Sequence, residues 1–167
     1  MPDRKTVRRA QQDKREGKSA STQAGEFVRE EIEHIREGKH GARSTKQAIA
    51  IGLSKARRAG VDLDPPKPGS TSDETRRSAQ RDYEIGHDGV PNRVSRKRSQ
   101  AATKALIRES GAAVSTRALS KQATSAARKR TPAERSAAAR KAVKTKGAEG
   151  RARAARKAAK TRAEHST

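Results

Sequence analysis

From Pro91 to Thr167 the chain carries 22 Lys and Arg residues against four acids, Glu109, Glu134, Glu149 and Glu164, a net charge of +18. Residues 1–90 hold 19 basic and 15 acidic residues, a net of +4, so nearly all of the +22 of this 167-residue chain lies in its C-terminal part. A segment so charged has little to bury and much to neutralise, and its natural partner is a polyanion. The rest of the chain is also poor in core material. Over the whole chain aromatic side chains make up 1%, namely Phe27 and Tyr83, and much of the 30% hydrophobic content is Ala. Burying a Leu or Ile is worth roughly 1.5–3 kcal/mol, whereas ordering each residue costs about 1–2 kcal/mol of backbone entropy. The balance favours small local elements and predicts substantial disorder in the free chain. The expected fold is all-α: a small helical hairpin plus several loosely packed or disordered basic helices, with no large core.

Several classes of function lack their residues. There is no cysteine, so disulfides and thiolate metal sites are excluded. No apolar run is long enough to span a membrane. Met1 to Lys18 is charged throughout and lacks the apolar core of a signal peptide. The expected location is therefore cytoplasmic, on the nucleoid. Among His34, His40, His87 and His165, only His34 and His40 can approach each other, across a hairpin turn. No third ligand is evident beside them, so no metal is expected. Asp62 and Asp64 flank a Pro-rich stretch and read as solvated turn residues. Without a Gly-rich phosphate loop, a Ser elbow or a Cys nucleophile, the chain is not expected to be an enzyme or to hold a cofactor.

Residues 1–21 read as a basic disordered arm, a possible second phosphate-binding segment, with no apolar stripe to hold a helix in place. Residues 22–60 are the candidate folded unit. Phe27, Val28, Ile32 and Ile35 lie near helical spacing, with Thr22 as N-cap and Gly38 placed for a left-handed C-terminal residue. After a short loop, Ser44-Thr45-Lys46-Gln47 matches a capping box. Ala48, Ile49, Ile51, Leu53 and Ala56 continue the second helix, which Gly60 closes after the basic end Lys55, Arg57 and Arg58. Residues 61–91 form a Pro/Gly-containing linker with one polar helix, starting at Ser72 or Asp73 and containing an isolated Tyr83.

The run Lys46-Gln47-Ala48-Ile49-Ala50-Ile51-Gly52-Leu53-Ser54-Lys55-Ala56-Arg57-Arg58-Ala59-Gly60 resembles the second half of a family of short, uncharacterised bacterial proteins. Their pattern is a helix ending near a Gly-Lys stretch, then an Ala-Ile-Ala-Ile-x-Leu helix ending in Arg-Arg/Lys-Ala-Gly. The resemblance spans Phe27 to Gly60, implies a bacterial source and a helical hairpin, and carries no activity with it. The basic extension beyond it is similar in composition to linker-histone tails and bacterial histone-like proteins.

A helix-turn-helix reader would place base-contacting side chains near the start of the second helix, where this chain has Arg43, Lys46 and Gln47. Against that, Glu26, Glu30, Glu31 and Glu33 on the first helix oppose approach to phosphates, and the simpler expectation is that these acids pair with the unit's own basic residues.

Residues 92–167 are the candidate nucleic-acid-binding region. Asn92 reads as the N-cap of a helix to about Glu109 that carries Arg93, Arg96, Lys97, Arg98 and Lys104, with Val94 in its thin apolar stripe and Gly111 as its stop. Ser115 caps the next, with Val114 and Leu119 spaced as a hydrophobic staple, and Arg128, Lys129 and Arg130 follow. Thr131-Pro132-Ala133-Glu134 is a capping box with Pro at the first helical position, opening a helix to Lys146 that bears Arg140, Lys141 and Lys144 and stops at Gly147. A last helix from Arg151 bears Arg153, Arg156, Lys157, Lys160 and Arg162. Residues 138–146 recur as 154–162 with two conservative differences. Arg and Lys on an Ala scaffold present charge rather than a base-edge pattern, and the lack of aromatics argues against single-strand stacking. The expected function is non-sequence-specific binding and compaction of duplex DNA, in the manner of a nucleoid-associated protein, with the hairpin as an anchor or self-association unit. The alternatives are an RNA- or ribosome-associated basic protein, or an adaptor whose hairpin holds a protein partner. The basic helices lack the Trp/Phe/Leu face that insertion into a membrane surface needs.

Overall fold

The computed structural model describes residues 2–89 and 95–164, without the side chains of residues 145 and 146. All regular structure among the described residues is helical: α1 (Arg4–Arg15), α2 (Ala20–Arg36), α3 (Thr45–Arg58), α4 (Asp73–His87), α5 (Arg96–Ile107), a 3-10 turn (Gly111–Val114), α6 (Thr116–Arg128) and α7 (Pro132–Glu164). The all-α expectation is therefore met. The chain divides into two compact units, Met1–Gln122 and Ala123–Thr167.

The first unit begins with a correction. Residues 4–15 of the expected disordered arm form α1, which packs on α2 and buries Thr6, Ala10 and Asp13. Small side chains make this face, so it carries no stripe of large apolar residues. Ala10 joins Ala24, Phe27, Ala56 and Val61 in one cluster, with Val7, Ala20, Leu53 and Leu63 around it. Small residues let the helix axes approach closely. Charged residues then close the edges: Lys18 Nζ lies 2.6 Å from Asp13 Oδ1, and Arg9 Nη1 lies 3.6 Å from Glu26 Oε2. The second helix starts at Ala20 after Ser19, so Thr22 lies inside it rather than capping it.

The hairpin follows the expected signals closely. Gly38 has φ +74°, which reverses the chain after α2 where a side-chain Cβ would be strained. Ser44 Oγ accepts from the Gln47 N–H at 3.2 Å, and Gln47 Oε1 accepts in return from the Arg43 N–H at 2.8 Å. The two helices meet at Gly52, where an added Cβ would lie 2.6 Å from the Val28 Cα. Helix propensity alone makes Gly52→Ala stabilising by about 1 kcal/mol. The contact reverses that sign, because backbone cannot move aside as a side-chain tip can. The expected outcome of thermal denaturation is a net loss of about 1–3 kcal/mol.

The linker does more than connect. Val61 is buried and Leu63 partly so, both against the Phe27 cluster. Arg57 reaches back from α3 and donates to the carbonyls of Leu63 and Asp64 at 3.0 and 3.2 Å. Helix α4, capped by Ser72, packs on α3 and buries Ala79. Tyr83 is not isolated: its hydroxyl donates to Asp62 at 2.7 Å, and its ring stacks on His87 with centroids 4.0 Å apart. Asp62 is thus a partner of α4 as well as a turn residue.

The first unit also reaches further along the chain than the hairpin. Val114 is buried among Ile35, Ala42 and Ala48, so it serves the hairpin core and not a local staple. Thr45 Oγ1 donates to the Ala113 carbonyl at 2.6 Å, and the Gly41 N–H donates to the Leu106 carbonyl at 2.8 Å. Gly41 packs directly against the Glu109 backbone, which leaves no space for a side chain. Gly111 begins the 3-10 turn, four residues after α5 has ended at Ile107.

In the second unit the capping box at Thr131 and the break at Gly147 appear where the sequence places them. The Thr131 N–H donates to Glu134 Oε2 at 2.8 Å, and Thr131 Oγ1 accepts from the Glu134 N–H at 3.2 Å. Gly147, with φ 62° and ψ 179°, breaks α7 into two pieces. The second piece starts before Arg151, since residues 148–150 are already helical.

Candidate nucleic-acid interface

Helices α5 and α6 bury no residue at all. Arg96, Lys97, Arg98 and Lys104 on α5 are exposed, as are Arg128 at the end of α6 and Lys129 and Arg130 beyond it. The α5 helix starts at Arg96 after Ser95, so the N-cap expected at Asn92, together with Arg93 and Val94, lies outside the described residues. On α7, Arg140, Lys141, Lys144, Arg151, Arg153, Arg156, Lys157, Lys160 and Arg162 are all exposed; the side chain of Lys146 is outside the described set.

Helical spacing sorts these residues further. Arg153, Arg156, Lys157 and Lys160 stand at i, i+3, i+4 and i+7, so they form one stripe about 10 Å long, while Arg151 and Arg162 lie on the other side. The sixteen-residue repeat places Arg140, Lys141 and Lys144 in the same relation to one another as Arg156, Lys157 and Lys160. Like charges at i, i+4, such as Arg153 with Lys157 and Arg156 with Lys160, destabilise an isolated helix by about 0.2–0.5 kcal/mol per pair. A row of phosphates along the stripe removes that penalty.

Three of the four acids of α2 face basic residues of the first unit. Glu26 lies 3.0 Å from Arg29 and 3.6 Å from Arg9, and Lys55 Nζ lies 2.7 Å from Glu31 and 3.8 Å from Glu30. The start of α3 is committed in the same way. Gln47 is used in the cap and Arg43 sits 3.6 Å from Glu109, which leaves Lys46 as the only uncommitted member of the three side chains a base reader would use there. Arg4 and Arg8 of α1 line a groove of about 700 Å³ with Lys55, Arg58, Val7 and Ile85. Part of the expected basic arm thus faces one concave surface.

Sequence reasoning missed two residues of consequence. Arg57, read as a cation at a helix C-terminus, is 6% exposed, and burial pushes its guanidinium below its usual pKa while Asp82 opposes the shift. Glu31, read as one acid among four, is fully buried beside His34 and His40. Its i, i+3 spacing from His34 was the available signal.

Residues 5–67 match a family of unknown function, DUF6496. The match covers most of α1, all of α2 and α3 and the first part of the Pro-rich segment, includes the stretch on which the family resemblance was based, and ends before α4. No curated protein and no solved structure matches the chain. No helix among the described residues is long and apolar enough to cross a membrane.

Proposed function

We propose that this protein binds duplex DNA without sequence preference, through phosphate neutralisation by α5 and α7, and compacts it in the manner of a nucleoid-associated protein. The observation that carries the reading is the segregation of charge: +18 lies in residues 91–167, and every described Lys and Arg from Arg96 onward is exposed. Arginine and lysine on Ala helices offer no bidentate constellation for a particular base edge, so charge and not sequence sets the affinity. Binding of this kind needs no catalytic group. Helices α1–α4 act as the anchor, and Glu26, Glu30 and Glu31 of α2 face Arg9, Arg29 and Lys55, which reduces their repulsion of the same polyanion.

The test is fluorescence anisotropy with a random-sequence duplex over a range of salt. If about 10 phosphates are contacted, log K falls against log salt with a slope of about −9. Binding that survives high salt, or that needs one particular sequence, counts against the proposal. Competition by structured RNA separates the reading from its alternative, an RNA- or ribosome-associated protein: RNA displacing duplex at much lower concentration reassigns the partner.

A further inference from the structure

We propose that Glu31, His34 and His40 form a binding site for a divalent transition-metal ion of the zinc class, at the point where α2 gives way to the hairpin loop. Glu31 and His34 share one face of α2 at i, i+3. Gly38, at φ +74°, turns the chain so that His40 comes back over that face. One ligand atom from each of the three lies within 4.8 Å of the other two. Glu31 Oε1 and His40 Nε2 are 3.4 Å apart, which is close to the ~3.3 Å edge of a tetrahedron with bonds of about 2.0–2.1 Å. The side chains of Glu31, His34 and His40 are 0%, 14% and 17% exposed, so the site is sheltered yet open on one side.

The hydrogen bonding points to a cation. Glu31 Oε2 faces Lys55, but Oε1 is buried and accepts no hydrogen bond. A buried carboxylate oxygen without a donor is expensive unless a positive charge meets it. The residue nearest to it on the loop side does not supply a donor in its neutral form. His40 Nδ1 lies 3.1 Å from the Gly41 carbonyl, which can only accept, so Nδ1 carries the proton. That leaves the Nε2 lone pair facing a carboxylate oxygen, two acceptors in opposition. A metal ion between them turns the opposition into two bonds, and the Gly41 carbonyl becomes the outer partner that orients the ring.

The surrounding charge fits a dication. Asp3 Oδ2 is 3.6 Å from His34 Nε2, and the Asp3 N–H donates to Glu30 at 3.2 Å. Asp3, Glu30 and Glu31 bring three negative charges to this corner; Lys55 pairs with Glu31 and Glu30, and the Lys39 ammonium, which Asp3 and Glu30 also attract, sits 2.9 Å from Glu37. Two imidazoles and a carboxylate favour zinc and its neighbours over magnesium or calcium, which prefer all-oxygen sites. Three protein ligands leave a fourth position for water or an outside donor. The ion would tie the end of α2 to the loop that leads into α3.

Full-length apoprotein titrated with Zn²⁺ against a chromophoric chelator tests this, with Co²⁺ absorption reporting geometry. The expected result is one ion per chain, four-coordinate Co²⁺ bands, and a rise in Tm on adding Zn²⁺. His34→Gln and His40→Gln should each weaken Zn²⁺ binding by more than the ~10–100-fold typical of outer-shell changes and abolish the Co²⁺ bands, while His87→Gln leaves both unchanged. Circular dichroism of the metal-free variants checks that the helices persist. Should His40→Gln unfold, His40→Asn keeps an N–H for the Gly41 carbonyl and takes its place. Failure to bind one Zn²⁺ per chain, or retention of wild-type affinity when both histidines are replaced, overturns the proposal and assigns the cluster to an ion pair of Glu31 with Lys55 and a protonated His40. Neither result bears on the DNA reading, because the site shares no residue with α5 or α7.

Discussion

Replacing Arg153, Arg156, Lys157 and Lys160 by Gln should weaken binding to a random duplex about 10³-fold at roughly 0.1 M salt and flatten the slope of log K against log salt by about 3 to 4. Each phosphate neutralised releases about 0.9 of a counterion, and four such contacts account for both numbers. The four side chains were chosen because they form the i, i+3, i+4, i+7 stripe on the second piece of α7. Gln keeps a helix propensity close to that of Lys and Arg, so a loss of affinity does not report a loss of helix. Two like-charged i, i+4 pairs disappear while the Lys160–Glu164 pair, 3.8 Å apart, is lost with them, so the helicity of the free variant should change little. Removing the same number of charges at Lys14, Arg15, Arg77 and Arg81, which are exposed on α1 and α4, is the control. If both variants lose affinity equally, net charge alone drives the association and the stripe has no special part. If neither does, duplex DNA is not the ligand of this helix.

Phe27→Ala should destabilise the first unit by about 3–5 kcal/mol. Phe27 is completely buried, and the other buried members of its cluster are Ala10, Ala24, Ala56 and Val61. Small neighbours cannot collapse into the space a phenyl ring leaves, so the full cavity term applies. Against a typical domain stability of about 5–15 kcal/mol, the loss is a large fraction, and it should lower Tm by roughly 10–20 °C. Urea denaturation read by circular dichroism measures it, with the helical signal of α7 as an unaffected background. The same variant separates the packed helices α1–α4 from the basic helices functionally. Binding carried by the basic helices should keep its salt slope within about 1 of the wild type. A collapse of DNA binding in Phe27→Ala would instead place the interface on helices α1–α4, where the groove lined by Arg4, Arg8, Lys55 and Arg58 is the surface to examine.

These two variants probe opposite economies in one chain. The first unit spends its scarce large side chains in two small clusters, one around Phe27 and one around Ile35 and Val114. It closes the remaining contacts with charged and polar pairs: Lys55 with Glu31, Ser54 with Asp82, Arg57 with the backbone of Leu63 and Asp64. The α5 and α7 helices bury almost nothing and keep their cations in solvent, an arrangement that suits a partner met from outside.

Local signals were legible without any structure, because they depend on neighbours in sequence. Gly38 and Gly60 take the positive φ their positions demanded, Ser44 and Thr131 cap with the partners three residues on, and Gly147 breaks α7 where the repeat pauses. The all-helical class and the charge segregation were legible for the same reason: propensity and composition are local quantities. Contacts between distant segments were not. Nothing in the pattern of residues 1–21 marked Ala10 as a core residue, since Ala is as common on exposed helices as in tight interfaces, and only the approach of α2 decides between them. Val114 and Glu31 follow the same logic: one leaves its own helix to fill the hairpin, the other meets His40 only because a glycine turns the chain back. Burial and ligand geometry are set by where chain segments meet in space, and a chain with so few large apolar residues leaves that meeting to small side chains and ion pairs, which carry no periodic signature.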